Sequence, residues 1–358
     1  MAHRPSILFS YTYVPWWHFR FCDDALREFA EVKFVGSAFQ DNPGFPADMK
    51  IAEFISKTGT RADYYLGAEI PLHRGIPDLD CPTAMVIGDY WPGNHDRIHT
   101  ARLFDHVFVT SADGMRDFRA GGCKSVHFLP FAADLRFHRD FQLERIYDVG
   151  FVGFTNLKTQ QDRGQALASL AARYKMNDFT QPAFGEEVGR IYSQSKIVVN
   201  FPRNGGFNMR VFEAMASGAL LITEDIGNGQ DELFEAGKHL VLYRDQSEIP
   251  GLVDYYLKHE AERLAISRAG QKEVLEKHTY RHRMEFLIQV LTAAGSERNR
   301  TQDKDEIIKV YATSFGRAER LDHLVRELFK GKGSLQTRGF VLARLVKSVI
   351  NILFPPRF

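Results

Sequence analysis

Cysteine is scarce in this sequence, and net charge is almost absent. Among 358 residues only Cys22, Cys81 and Cys123 carry thiols. They are far apart, odd in number and form no CxxC pair. That excludes a disulfide framework, argues against a zinc site, and fits a reducing compartment. Lysine and arginine total 46 against 45 aspartate and glutamate, a net charge of +1, so no overall field points to a nucleic-acid partner. No run approaches the roughly 18 consecutive apolar residues of a spanning helix. The N-terminus, MAHRPSILFSY, lacks the long apolar core of a signal peptide, and a cytoplasmic location is expected. There is no HExxH, so zinc hydrolysis is not expected. There is no GxxxxGK[ST] phosphate loop, and no GxGxxG between the first strand and helix, where a dinucleotide site needs one. Asp78-Leu79-Asp80 has the spacing of a metal-binding acidic pair. It precedes a strand, however, and Pro77 and Pro82 flank it. It reads as a turn, and no metal is expected.

The chain does have a regular alternation of short apolar runs and helical segments. SILFSYTYV, EVKFVG, ADYYLGAEI, PTAMVIGDYW, HVFVTS and SVHFLPF read as strands. DDALREFA, DRIHTARLF and ADGMRDFRAGG read as helices between them. Such a βα rhythm implies parallel sheets with helices on both faces. It lapses in the polar stretch AADLRFHRDFQLERIY and restarts with DVGFVGF. The predicted organisation is therefore α/β: a first Rossmann-like doubly wound domain over 1–140 and a second over 141–295. A helical extension follows over 296–358. The extension ends in FVLARLVKSVINILFPPRF, which has two readings: a closing helix packed on the α/β halves, or an amphipathic helix lying on the inner, anionic face of a membrane.

The segment NGGFNMRVFEAMASGALLITED carries the most chemistry. Phe212, Met215, Ala216 and Ala219 share one helical face and point to a core. Arg210, Glu213 and Ser217 share another. Gly218 suits the helix stop, and ALLIT a buried strand. Two glycines before a helix N-terminus let a ligand approach the backbone, and the unpaired N–H groups there favour phosphate. Arg210 adds a charged fork for a phosphate oxygen. Glu213 repels phosphate but accepts hydrogen bonds from paired hydroxyls, such as those of a ribose. Together they describe a nucleoside-diphosphate site. The alternative is a structural Arg210–Glu213 ion pair.

FNMRVFEAMASGALLITED resembles the donor-binding motif of GT-B glycosyltransferases of the group 1, family-4-like kind, and closest the CgeB-like (spore maturation protein) branch. SQSKIVVNF, HTYRHRM, LPFAAD and YDVGFVG are similar too. The resemblance covers approximately residues 80–290. It implies two Rossmann-like domains facing a cleft, with Glu213 holding the ribose of a nucleotide sugar and Arg210 facing the diphosphate. It departs at Gly205, where many relatives carry a second glutamate near the sugar. The backbone of Gly205, Gly206, Phe207 and Asn208 is left to approach the donor. The implied activity is a metal-independent, retaining transfer from a nucleotide-diphosphate sugar, as co-substrate, to an unidentified acceptor. An epimerase on the same fold, or a non-enzymatic sugar-binding module, stays open.

Further candidates follow from position. GFTNLKTQQDR follows the first strand of the second half, so Lys158 and Arg163 are expected to neutralise the diphosphate. Phe184 and Gly185, in QPAFGEE, are expected at the nucleobase. In the first half, Asp89 in GDYWPGNHD is the candidate base. His18 is a further catalytic candidate beside Arg210. Trp16, Trp17 and Tyr90 are expected to receive the acceptor.

Overall fold

The computed structural model describes residues 4–36, 49–68, 73–88, 90, 95–155, 161–203, 205–295, 298–317 and 334–353. The chain divides into two compact units. One gathers Met1–Val14, Asp23–Leu129 and Leu287–Phe358; the other gathers Pro15–Cys22 and Pro130–Phe286. Two differences from the sequence reading stand out. The helical extension is part of the first unit rather than a separate module. The aromatic segment Pro15–Cys22 belongs with the second, because the Phe21 ring packs against Phe137, His138 and Tyr280 at 5.5–5.8 Å. Contacts over such sequence distances leave no local trace.

The first unit has six parallel strands: β1 (Ser6–Tyr11), β2 (Glu31–Gly36), β3 (Tyr64–Ala68), β4 (Thr83–Ile87), β5 (His106–Val109) and β6 (Val126–Phe128). Their order is β2-β1-β3-β4-β5-β6. SILFSY and TAMVI are buried along their whole length, as strands covered on both faces must be. EVKFVG instead begins with alternating exposure, because it forms an edge. The extension joins this unit's core through Val310, Tyr311 and Ala312 of the helix Lys304–Arg317. Its entry is fixed by Arg300, whose Nη1 lies 3.2 Å from Asp105 Oδ2 with both side chains buried. Among the described residues, no helix is long and apolar enough to cross a membrane.

The second unit has four parallel strands in the order β10-β9-β8-β7: β7 (Tyr147–Gly150), β8 (Ser195–Asn200), β9 (Leu220–Glu224) and β10 (Val241–Tyr243). Side chains alternate across a strand. Ile197 and Val199 of β8 therefore feed one core with Leu220 and Ile222. Val198 and Leu221 feed the other, which receives Val211, Phe212 and Met215 from the helix Met209–Ala216. The segment LVDYYLKHEAERLAISRAGQKEVLEKH falls in two helices, Ile249–Lys258 and Glu260–Lys277. They part at His259, whose ψ of 64° leaves the helical range and whose ring nitrogen contacts the Tyr255 carbonyl. HTYRHRM and LPFAAD form a clamp: Ala133 exchanges backbone bonds with His278 and Tyr280, and buried Arg283 donates to the carbonyls of Pro130 and Phe131.

Candidate functional site

The candidate site lies at the carboxyl ends of β7 and β8, where ligands bind in parallel α/β sheets. Asn200 ends β8 and is fully buried. Its Nδ2 donates to Thr223 Oγ1 at 3.0 Å, which orients its Oδ1 outward along the sheet. That oxygen accepts from Arg210 Nη1 at 2.6 Å and from Asn208 Nδ2 at 2.9 Å. Arg210 also donates through Nε to the Val152 carbonyl at 3.0 Å and lies 4.3 Å above the Phe151 ring. A Cβ on Gly153 would displace the Arg210 guanidinium from this position.

Arg163 reaches the same strand ends from the helix Gln161–Ala171. Its Nη2 donates to the Phe201 carbonyl at 2.6 Å and its Nη1 to Phe154 O at 3.3 Å. Burial, together with the nearby charges of Arg210 and Arg203, pushes its pKa down to about 10. Such crowding of like charge is unfavourable without a ligand and favourable with an anion. The hydrogen-bond partners of Arg210 are neutral groups, and no described ion pair includes it.

Glu213 lies one helical turn beyond Arg210 and is 9 % exposed. The two do not pair. Its carboxylate contacts His138, whose Nε2 is 3.4 Å from Oε1. The Asp134 amide donates to His138 Nδ1 at 3.2 Å, which assigns the ring proton to Nε2, facing Glu213. Burial holds the imidazole pKa below its ordinary value, against the pull of the Glu213 and Asp134 carboxylates. The ring thus faces Glu213 as a neutral neighbour at neutral pH.

The remaining candidates scatter. Gly205 has φ of 65° and open space where a Cβ would stand; Gly206 bonds back to Arg203. The Phe207 side chain is buried against Phe212, so only its backbone is open to a ligand. Asn208 precedes the helix, and its buried Oδ1 has no partner among the described residues. Phe184, 39 % exposed, stacks on Trp16, 45 % exposed, at 4.6 Å and 31°. Trp16 was expected at the acceptor, yet its ring lies on the loop expected at the nucleobase. A Cβ added at Gly185, beside Phe184, would stand 3.8 Å from the Phe137 ring, and Phe137 adjoins His138.

Three of the expected residues meet a different environment. His18 is 4 % exposed, its ring edge-on to Phe131 at 5.0 Å; this is a packing position, not one open to substrate. Trp17 packs edge-on against Phe19. Tyr90 turns into the first unit's core, its hydroxyl donating to Asp117 at 2.7 Å. Asp89 and Lys158 lie outside the described residues. Asn200, Arg203 and His138 were missed. Asn200, a polar residue closing the apolar run KIVVNF, was a readable signal; His138 was not.

Residues 156–289 match the protein-family profile described as glycosyl transferase-like. None of the curated proteins matches the chain in sequence. Solved structures do match in fold. A glycosyltransferase from Rickettsia africae ESF-5 aligns with TM-score 0.60 and 11% identity over 81% of this chain and 98% of its own. Sucrose-phosphate synthase from Thermosynechococcus elongatus aligns with TM-score 0.58 and 11% identity, over 81% and 99%. Anabaena HepE in complex with UDP and glucose aligns with TM-score 0.56 and 13% identity, over 81% and 100%. The two parallel-sheet units are thus those of the GT-B fold, and the glycosyl transferase-like match falls almost wholly within the second.

Proposed function

We propose that the chain transfers a sugar from a nucleoside-diphosphate sugar to an acceptor hydroxyl. The observation that carries this reading is the placing of Arg163 and Arg210 at the carboxyl ends of β7 and β8, near enough to Arg203 for the charges to lower the Arg163 pKa, with the Glu213 carboxylate and its neutral histidine neighbour one helical turn away. The arginines receive the diphosphate. Glu213 accepts from the ribose hydroxyls, each charge-assisted bond contributing about 1.5–3 kcal/mol. Asn208 Oδ1 accepts from a sugar hydroxyl. The exposed Trp16–Phe184 stack supports a base platform, since a planar ring extends it. Trp16 thereby moves from the acceptor to the donor.

In the reaction, the bond between the anomeric carbon and the diphosphate oxygen breaks, and its electron pair leaves with the diphosphate. The acceptor oxygen bonds to that carbon on the face the diphosphate leaves, as retention requires, and its proton passes to the departing diphosphate oxygen. Arginines and helix N–H groups aimed at the departing charge take the part of a metal ion, and such electrostatic aid is usually the largest catalytic term. Retention of configuration follows the family-4 resemblance.

The test is a thermal shift with nucleoside diphosphates, followed by an assay of nucleotide release. The melting temperature should rise with ligand, and Glu213→Ala should abolish the rise. An equal shift in the variant overturns the ribose assignment. Release of nucleotide diphosphate from the sugar donor should require an acceptor. Conversion of the donor without acceptor would identify an epimerase, and binding without turnover a sugar-binding module.

A further inference from the structure

We propose that the outward face of the last helix, Leu335–Leu353, docks on an anionic lipid surface. The inward face is already occupied. Thr337 and Val341 are buried, and Phe340 and Leu345 pack on the first unit's core. The helix start is pinned to the preceding helix, the Ser334 amide donating to Asp305 Oδ1 at 3.0 Å. The opposite face carries Leu335, Leu342 and Val346, which are 87%, 48% and 50% exposed. Spacings of seven and four residues place them in one stripe, with exposed Gly339 and Ala343 alongside.

Charge selects the occupant. Arg338 and Lys347 are exposed beside the stripe, and Arg344 lies over the Phe340 ring at 5.3 Å. From residue 331 to the end the sequence has five basic residues, Lys332, Arg338, Arg344, Lys347 and Arg357, and no acidic one. On the helix Lys304–Arg317, Asp305 is engaged with Ser334 and Glu306 with Arg102 at 2.8 Å. A second copy of the chain would meet this stripe with the same positive rim and be repelled. Anionic headgroups complement the rim while the three side chains enter the acyl boundary. The helix lies on such a surface, being too short of continuous apolar sequence to cross it.

This surface is independent of the donor site, and so is its test. The full chain is sedimented at low salt with vesicles of phosphatidylcholine alone, or of equal parts phosphatidylcholine and phosphatidylglycerol. It should pellet with the anionic vesicles only, and added salt should release it. Arg338→Gln with Lys347→Gln should weaken partition by roughly tenfold or more. Leu342→Glu with Val346→Glu should abolish it. Both variants alter exposed positions, and circular dichroism melting checks that they stay folded. Failure of the parent to pellet, equal binding to both vesicles, or unchanged binding by both variants overturns the proposal. So does a dimer in solution that the Leu342→Glu, Val346→Glu variant dissociates.

Discussion

The two units dispose of buried charge in opposite ways. In the first, charges are closed among themselves. Asp105 accepts from Arg300, from the Thr83 amide and hydroxyl, and from the Asn299 amide. Asp23 takes the Tyr11 hydroxyl at 2.8 Å and Arg27 at 2.9 Å. In the second, Arg163 lies near the like charges of Arg210 and Arg203, and the Glu213 carboxylate faces a neutral imidazole. Arg283 marks the boundary of this contrast. It is buried too, and held down to about 10 by burial, but carbonyls and His278 surround it, so it braces the linker. A closed network is scaffold. An open cluster of like charge is held in place by the fold for something that arrives later.

The sharpest way to break this comparison is to delete one arginine from each kind. Arg210→Ala should lower turnover by about 10²–10³-fold, as loss of a donor aimed at developing charge does, while leaving the melting temperature nearly unchanged. Arg300→Ala should do the reverse. It strands the Asp105 carboxylate in the core, at a cost of about 3–5 kcal/mol, and the fraction still folded should bind nucleotide normally. Calorimetry and single-turnover rates on the two variants measure both axes. If Arg210→Ala unfolds the protein as readily as Arg300→Ala, the second cluster is scaffold as well.

Protons test the closed networks with a smaller effect. Burial holds His73 in the first unit and His278 in the second at about 4, below the ordinary 6.5. The unfolded chain therefore takes up these protons first as pH falls. The stability contribution is complete above about 6.5 and is lost progressively towards 4. Melting temperature should drop between neutral pH and pH 5. His73→Gln can keep the bond to the Gly36 carbonyl while removing the titration, and should flatten the profile. An unchanged slope would rule out His73 as a contributor.

What the sequence disclosed follows the same division. Strands buried on both faces are continuous apolar runs, so the two sheets were legible from SILFSY, TAMVI and KIVVNF. The helix Met209–Ala216 was legible because its apolar face repeats at helical spacing and Gly218 ends it. Arg210 and Glu213 were visible as polar residues on an otherwise core-forming helix. Contacts between distant segments were not visible. Nothing near Trp16 announces Phe184, and Tyr90, in a strand-end loop that looked open, spends its hydroxyl on Asp117. His138 sits in a polar linker, where no period or motif distinguishes it from its neighbours.

That histidine gives the finest test of the open cluster. On the proposed reading His138 is a positioning residue, acting on the Glu213 carboxylate through its contact at 3.4 Å. A neutral donor fits this task, because a charged one would compensate Glu213 and weaken its hold on the ribose. His138→Ala should therefore weaken nucleoside-diphosphate binding about fivefold, the worth of one modest hydrogen bond. His138→Gln, which retains an N–H near the same place, should recover part of the loss. Measuring the same variants with a 2′,3′-dideoxynucleoside diphosphate separates positioning from general loosening. With no hydroxyls for Glu213 to grip, parent and His138→Ala should bind the analogue equally. A fivefold penalty that persists with the analogue means that His138 supports the fold and not the carboxylate.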